Sequence, residues 1–213
     1  MRVSITKHHL VRLRKIFSHT KILEVLQKLN QNFSAVHSDE QIFYELCFCL
    51  CSPQVKFSAN RTANNLLQEA QFYTEDISNT RLSAGPLRGM KFRGIKSAQL
   101  NKAKAGFEPI LRLIRLSIDP ILARKWLVKN VEGLGMKTAS HFLRNGGRVK
   151  ELAIVDTHIL KFLKIEGEVK DQHHYLKIEE NFRNIADKLG VSVFDLDAVV
   201  WSWYSGIPLK EIR

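Results

Sequence analysis

DPILARKWLVKNVEGLGMKTASHFLRNGG, residues 119–147, is the stretch that decides the fold. Asp119 before Pro120 signals a helix start, because aspartate caps the first amides and proline fits the first helical position. The apolar residues that follow keep helical spacing. Gly133-Leu134-Gly135 then permits a tight turn into a second helix. The stretch therefore predicts two amphipathic helices joined by a short hairpin.

The predicted hairpin suits a bound anion. Without Cβ atoms, Gly133 and Gly135 let backbone N–H groups approach a ligand closely. These groups lie at the start of the second helix, where the helix dipole favours negative charge. Leu134 is expected to pack into the hairpin's own core. We predict that Gly133, Leu134 and Gly135 bind a DNA phosphate, although a plain turn between two helices would have a similar sequence.

Positive charge is concentrated around this stretch. The 213 residues carry a net charge of +12, and residues 86–150 hold 15 Lys and Arg against 3 Asp and Glu. The rest of the chain is neutral, so this segment accounts for the whole excess. Such an excess indicates a polyanionic partner more than a merely solvated face. We predict that Arg93 and Lys96 contact DNA.

Composition excludes several other classes of protein. The hydrophobic fraction of 45% and the charged fraction of 25% are typical of a globular domain, not of a disordered, collagen-like or disulfide-framework chain. No apolar run reaches the roughly 18 residues of a membrane span. The first residues show no signal-peptide core. We expect a cytoplasmic protein, associated with the nucleoid in a prokaryote.

The three cysteines, Cys47, Cys49 and Cys51, lie together in FYELCFCLCSP. On a helix, this i, i+2, i+4 set does not converge on one point, and no histidine is close in sequence. Zinc and iron–sulfur sites are therefore disfavoured, and we predict neither metal nor cofactor. Buried small side chains in a reducing compartment are the expected role.

Helix signals recur along the rest of the chain. Ser38 opens a capping box before an apolar helix that ends near Pro53, and a basic amphipathic helix is predicted over about 97–116. Helical spacing continues to Leu189, where Gly190 is a natural stop. Ser192 caps a last helix to about Tyr204. The chain is predicted to be all-α.

The hairpin sequence VEGLGMKTA, residues 131–139, resembles the helix-hairpin-helix of the base-excision DNA glycosylase superfamily (HhH-GPD). In that superfamily a lysine two residues after the second glycine marks the bifunctional glycosylase/lyases, and Lys137 holds this place. Asp156 follows 19 residues later and resembles the superfamily's catalytic aspartate. The resemblance implies that both residues are catalytic.

Two further stretches narrow the resemblance. The archaeal-type second family of 8-oxoguanine DNA glycosylase/AP lyases has motifs similar to ASHFLRN at 139–145 and FYELCFCL at 43–50. One turn departs from the family pattern, because Ser52-Pro53-Gln54 stands where the family has Thr-Ala-Asn. Absence of cysteine after Cys51 argues against relatives of endonuclease III that carry an iron–sulfur cluster. The family tail matches at Asp197, Trp201, Gly206 and Lys210, but three residues follow Lys210.

The resemblance implies an all-α, two-lobe helix-hairpin-helix glycosylase fold with its active site in the cleft between the lobes. We expect one lobe to comprise 1–38 plus 118–213, with the helix-hairpin-helix at 120–146, and the other to comprise 39–117. The implied function is excision of 8-oxoguanine from double-stranded DNA, coupled to cleavage of the abasic site. The protein is expected to act as a monomer.

The implied chemistry uses a neutral lysine. Lys137 would attack the sugar C1′, expel the base and form a Schiff base from which β-elimination cuts the strand. Asp156 would orient the amine, accept protons and stabilise positive charge on the sugar. Two simpler interpretations stay open: Lys137 only binds phosphate, and Asp156 only caps the helix that follows it.

The resemblance also implies a pocket for the flipped base. Trp201 and Phe92 are candidates for stacking, and Asp197 and Lys210 for polar contacts. Gln54 begins a loop and is a candidate to fill the gap left by the base. Two alternatives remain: a related glycosylase for an oxidised pyrimidine or mismatched thymine, and a non-catalytic DNA-binding module.

Overall fold

The computed structural model describes residues 7–34, 37–116, 118–147 and 149–211. Within these ranges every regular element is a helix, which confirms the predicted all-α class. Two compact units are formed, one within Met1–Ala35 and Arg148–Arg213 and the other within Val36–Gly147. None of the described helices is long and apolar enough to cross a membrane.

The described residues contain twelve α-helices and one 3₁₀ turn. In chain order the helices are α1 Lys7–Phe17, α2 Thr20–Ser34, α3 Asp39–Cys51, α4 Phe57–Glu69, α5 Asn79–Ala84, α6 Arg93–Ala105, α7 Phe107–Arg115, α8 Pro120–Asn130, α9 Met136–Gly147, α10 Thr157–Phe162, α11 Gln172–Leu189 and α12 Val193–Ser205, followed by the 3₁₀ turn Leu209–Glu211. The first unit holds α1, α2 and α10–α12, and the second holds α3–α9.

Helix α3 is the core of the second unit and packs against α4, α6, α7 and α9. It begins with the predicted capping box, in which Ser38 Oγ accepts from the Gln41 amide and the Gln41 side chain accepts from the Ser38 amide. Both bonds satisfy amides that have no partner inside the helix. Phe43, which is fully buried, contacts the aromatic rings of Phe72 and Phe107.

The helix predicted over 97–116 is two helices, α6 and α7. Gly106 ends α6, its amide bonding to the carbonyls of Lys102 and Lys104, and α7 starts at the next residue. Glycine is a weak helix former, so it separates two stretches that share helical spacing. Both helices pack against α3.

The boundary between the units also differs from the predicted one. The predicted lobe of 1–38 plus 118–213 includes α8 and α9, whereas the structure includes both helices in Val36–Gly147. Helix α9 packs along α3 and also contacts α7. Helix α9 therefore belongs to the second unit because its apolar face is buried against α3. The position of α9 along the chain does not indicate this packing.

The first unit is organised around α12, which packs against α10 and α11. Gly190 ends α11 in the left-handed region with φ +69°, as its sequence predicts. Ser192 then caps α12, its Oγ accepting from the Asp195 amide. From α2, Phe33 places its ring edge-on to Phe194 with a centroid distance of 4.9 Å.

Candidate functional site

The hairpin between α8 and α9 forms as the sequence predicts. Helix α8 starts with Asp119 as its cap and Pro120 as its first residue. After α8 the Leu134 amide bonds to the Val131 carbonyl at 3.2 Å, which closes the turn. The Leu134 side chain is buried, so it anchors the hairpin's own core.

The two hairpin glycines have different structural roles. Gly133 has φ +95°, a conformation that favours glycine, and a Cβ there would require the flexible end of the Gln99 side chain, 2.7 Å away, to move. At Gly135 a Cβ would meet nothing within 4 Å among the described atoms. The Gly135 amide already donates to Thr138 Oγ1 at 2.9 Å. An anion at the hairpin would therefore use the amides of the first turn of α9.

Lys137 is the second residue of α9, and its side chain is exposed. The helix that carries it is fixed to α8 by Arg124, a fully buried guanidinium that donates to Ser140 Oγ at 3.0 Å. Ser140 Oγ in turn donates to the Met136 carbonyl at 2.8 Å. Sequence reasoning missed Arg124, because an arginine among basic residues resembles a surface group.

Most of the described Lys and Arg residues within 86–150 fall into three sets, and the half-buried Arg144 and Lys150 belong to none of them. Lys96 and Arg124 are buried. Four residues pair with acids, namely Lys102 with Glu132, Lys104 with Asp76, Arg112 with Glu108 and Arg115 with Asp39. Among the described residues, the exposed bases of this segment with no ion pair form what we call the exposed basic set: Arg88, Lys91, Arg93, Lys125, Lys129 and Lys137.

Lys96 requires a correction. Its side chain is 4% exposed, and its Nζ donates to the carbonyls of Cys51 at 3.0 Å and Pro53 at 3.2 Å. Burial lowers the pKa of this lysine. An amine held by two carbonyls at the end of α3 cannot reach a phosphate, so Lys96 is a structural cap and not a DNA contact.

Gln54 lies in the turn that Lys96 holds. Its side chain is exposed, and its backbone has φ +58°, the left-handed region that is uncommon for a residue with a side chain. The Val55 amide closes the turn on the Ser52 carbonyl at 3.3 Å. Lys96 thus fixes the backbone that presents Gln54 to solvent.

Asp156 is the cap of α10. Its Oδ1 accepts from the amides of His158 at 2.8 Å and Ile159 at 3.0 Å, and its side chain is half-buried. The predicted capping role is therefore present. Both capping bonds use Oδ1, so the second carboxylate oxygen, Oδ2, takes no part in them.

The segment before Asp156, residues 152–155, has no regular secondary structure and is buried, and side chains supply its hydrogen-bond partners. The bonds run from Ala153 N to Glu179 Oε1 (3.1 Å), from Ile154 N to Asp197 Oδ2 (3.1 Å), from Val155 N to the Tyr175 hydroxyl (3.2 Å) and from that hydroxyl to the Ala153 carbonyl (2.9 Å). We call this set the side-chain clamp. Since buried amides without partners are costly, the clamp fixes the residues that lead to Asp156.

Sequence reasoning missed Glu179 and Tyr175 and gave Asp197 another role. The sequence held a signal for Glu179, because this residue follows Ile178 on the apolar face of α11. The structure shows that its side chain is 2% exposed. A carboxylate in such a position needs buried donors. Asp197, also 4% exposed, is bound to the Ile154 amide, and its contact with a base remains a prediction.

The other predicted pocket residues lie in both units. Trp201 on α12 is half-buried, its ring edge-on to His158 at a centroid distance of 6.2 Å. Phe92, at the start of α6, is 54% exposed with φ +57°. Lys210 is exposed in the 3₁₀ turn. Of the three residues that follow Lys210, Ile212 and Arg213 lie outside the described residues.

Two packed helices, α8 and α9, joined by a Gly-Leu-Gly turn place the chain in the class of helix-hairpin-helix proteins. A family model described as 8-oxoguanine DNA glycosylase matches residues 9–191. The chain therefore belongs to the 8-oxoguanine DNA glycosylase family.

Similar proteins agree with this assignment. The 8-oxoguanine DNA glycosylase/AP lyase of Korarchaeum cryptofilum is 34% identical over 90% of this chain and 93% of its own, and that of Metallosphaera sedula is 32% identical over 87% and 92%. A crystal structure of the Methanocaldococcus jannaschii 8-oxoguanine DNA glycosylase, at 28% identity, superposes with a TM-score of 0.80 over 94% of this chain and 96% of that chain. The same organism's glycosylase/lyase has also been crystallised in complex with a 15mer DNA containing 8-oxoguanine. That structure, at 26% identity, superposes with a TM-score of 0.82 over 93% of this chain and 98% of that chain.

Proposed function

We propose that this protein excises 8-oxoguanine from double-stranded DNA and cleaves the resulting abasic site. The observation that carries the proposal is an exposed lysine at the second position of the hairpin's second helix, in a member of the 8-oxoguanine DNA glycosylase family. The relatives named above are glycosylase/AP lyases, and one was crystallised with DNA containing the lesion.

Lys137 is the proposed nucleophile. Its neutral amine attacks C1′ of the damaged nucleotide, and the bond from C1′ to the base breaks as the base leaves with its electron pair. The amine then remains on C1′ as a Schiff base after the sugar ring opens. Loss of a C2′ proton from this species expels the 3′ phosphate by β-elimination, so one lysine serves both activities.

Asp156 is the proposed proton acceptor and charge stabiliser. Its Oδ1 is fixed by two amides of α10, so its Oδ2 is the atom that we assign to the chemistry. A carboxylate can take the proton that Lys137 loses on attack and can stabilise positive charge developing on the sugar. Capping and catalysis are thus compatible in one side chain.

The flipped base is proposed to bind residues that the sequence analysis selected. Trp201 and Phe92 offer aromatic faces, and base–aromatic stacking contributes about 1–3 kcal/mol per base. Asp197 and Lys210 are proposed to contact polar edges of the base. Gln54, presented at the tip of its turn, is proposed to fill the space that the base leaves in the duplex.

The first turn of α9 and the exposed basic set are proposed to bind the DNA backbone. Arg93 belongs to this set, whereas Lys96 does not. One chain supplies one hairpin and one candidate nucleophile, which supports action as a monomer. Because the proposed substrate is genomic DNA, we propose that the protein is cytoplasmic and that it acts at the nucleoid if its source is a prokaryote.

The decisive experiment is borohydride trapping on a panel of duplexes, each containing one lesion or one abasic site. Reduction of the Schiff base joins the protein to DNA covalently, so the product is seen as a band shift in a denaturing gel. We expect trapping on duplexes with 8-oxoguanine and with an abasic site. Trapping only on an oxidised pyrimidine would identify another glycosylase, and no trapping on any duplex would identify a binding module.

A further inference from the structure

Three side chains with different metal-binding atoms meet in the second unit. Glu45 and Cys49 lie one helical turn apart on α3, and His141 projects from α9, which packs along α3. A carboxylate oxygen, the thiol sulfur and a ring nitrogen all lie within 4.8 Å of one another. Cys49 is fully buried, and the other two residues are half-buried. The hairpin and the clamp do not use this cluster.

We propose that Glu45, Cys49 and His141 bind one zinc ion, with water as the fourth ligand. Sulfur, imidazole nitrogen and carboxylate oxygen are the three protein donors that zinc accepts. Zinc bonds of about 2.0–2.3 Å in a tetrahedron place donors roughly 3.3–3.8 Å apart. Cys49 Sγ already lies 3.7 Å from Glu45 Oε1, so small side-chain rotations complete the site.

The surroundings fit an ion of this charge. Glutamate and a cysteine thiolate together neutralise Zn²⁺, so the occupied site adds no net charge beside Arg144 and Lys137, the two cations that act on His141. Binding releases the Cys49 proton to solvent.

A neighbouring amide orients the carboxylate. Asn145 Nδ2, one turn beyond His141 on α9, donates to Glu45 Oε1 at 2.8 Å. Such outer contacts hold ligands in position, and their loss typically weakens metal binding by about 10–100-fold. Sequence reasoning rejected zinc because it considered only residues near the cysteines, whereas the packing of α9 on α3 supplies the histidine.

The test is a cobalt titration of the full-length reduced protein at neutral pH. Co²⁺ occupies zinc sites and gives a thiolate-to-cobalt charge-transfer band when cysteine binds it. We expect one Co²⁺ per chain with this band, and its loss when one equivalent of Zn²⁺ is added. Zn²⁺ is also expected to raise the thermal unfolding midpoint, because a ligand that binds the folded state stabilises it.

Matched variants locate the ion. Cys49→Ser should abolish the band, whereas Cys51→Ser, an equally buried thiol outside the cluster, should retain it. Glu45→Gln keeps the shape of the side chain and the Asn145 contact, and should weaken Co²⁺ binding at least tenfold. This variant decides the question if Cys49→Ser fails to fold. Absence of a charge-transfer band in the native protein, or unchanged binding in Glu45→Gln, would overturn the proposal.

Discussion

The two residues proposed to carry the chemistry are held in contrasting ways. Lys137 lies in the first turn of a regular helix, and its hairpin is contained in one continuous stretch of sequence, residues 119–147. Asp156 follows an irregular segment whose amides are bound by the side-chain clamp, and one clamp bond joins residues 43 positions apart. Local signals therefore specify the first site, and tertiary packing specifies the second.

The largest expected effect is at Lys137. Replacement by Gln removes the nucleophile, so Lys137→Gln should abolish base release and borohydride trapping. DNA affinity should stay within about tenfold, or ~1.4 kcal/mol, because one exposed charge is lost. Single-turnover excision, trapping and equilibrium binding are the measurements. Lys177→Gln, at an exposed lysine of α11 that is outside the exposed basic set, is the control and should keep trapping. Trapping that persists in Lys137→Gln would refute the assignment.

Asp156→Asn is expected to have the next largest effect. Asparagine caps a helix as well as aspartate does, so α10 should persist while the charge is lost. We expect single-turnover excision to slow by about 10²–10⁴-fold, the usual range for loss of a proton-transferring or charge-stabilising group.

Asp171→Asn is the matched control, because Asp171 caps α11 in the same manner. It should leave excision unchanged. If Asp156→Asn retains full specific activity, or if the two variants behave alike, Asp156 is only a helix cap.

Tyr175→Phe tests whether the clamp positions Asp156. The change removes the hydroxyl that serves both the Val155 amide and the Ala153 carbonyl, and it leaves them buried without this partner. We expect a loss of about 1–3 kcal/mol in unfolding free energy. Excision should slow while DNA affinity is retained, since the hairpin does not depend on the clamp.

Tyr204→Phe, on a half-buried tyrosine of α12, is the control for loss of a hydroxyl. Denaturant unfolding and single-turnover kinetics at a temperature where each variant is folded separate the two effects. A Tyr175→Phe protein that loses stability but excises at the native rate would show that the clamp supports only the fold.

The smallest expected effect concerns the exposed basic set. Arg93→Ala should weaken binding to damaged and undamaged duplex alike and reduce the slope of log K against log salt by about 0.9 if Arg93 contacts one phosphate. Lys102→Ala removes a lysine that is paired with Glu132 and should change the slope less. Equal slopes in the native and Arg93→Ala proteins would remove Arg93 from the interface.

The sequence predicted the features that depend on neighbouring residues and missed those that depend on tertiary packing. Asp119-Pro120, Gly133 and Ser38 act on residues within one turn, so the helix starts and the hairpin were predicted correctly. Gly106 shows the limit, because helical spacing continues across a residue that separates two helices.

The wrong and missed residues are those whose partners are distant in sequence. Lys96 counts as positive charge in a sequence, yet its long side chain reaches the carbonyl of Cys51, the last residue of α3, and that of Pro53 just after it. Glu179 and Tyr175 reach the segment before Asp156 from α11. His141 joins Glu45 and Cys49 only because α9 packs on α3.

The burial of Lys96 has a consequence for chemical labelling. Reagents that acylate amines react with exposed lysines directly, whereas the Lys96 amine becomes accessible only when its bonds to Cys51 and Pro53 break. Its labelling rate therefore measures how often the turn around Gln54 opens in the folded protein. Mass spectrometry of a labelling time course, with exposed Lys91 as the internal reference, converts this one buried amine into a reporter of local opening.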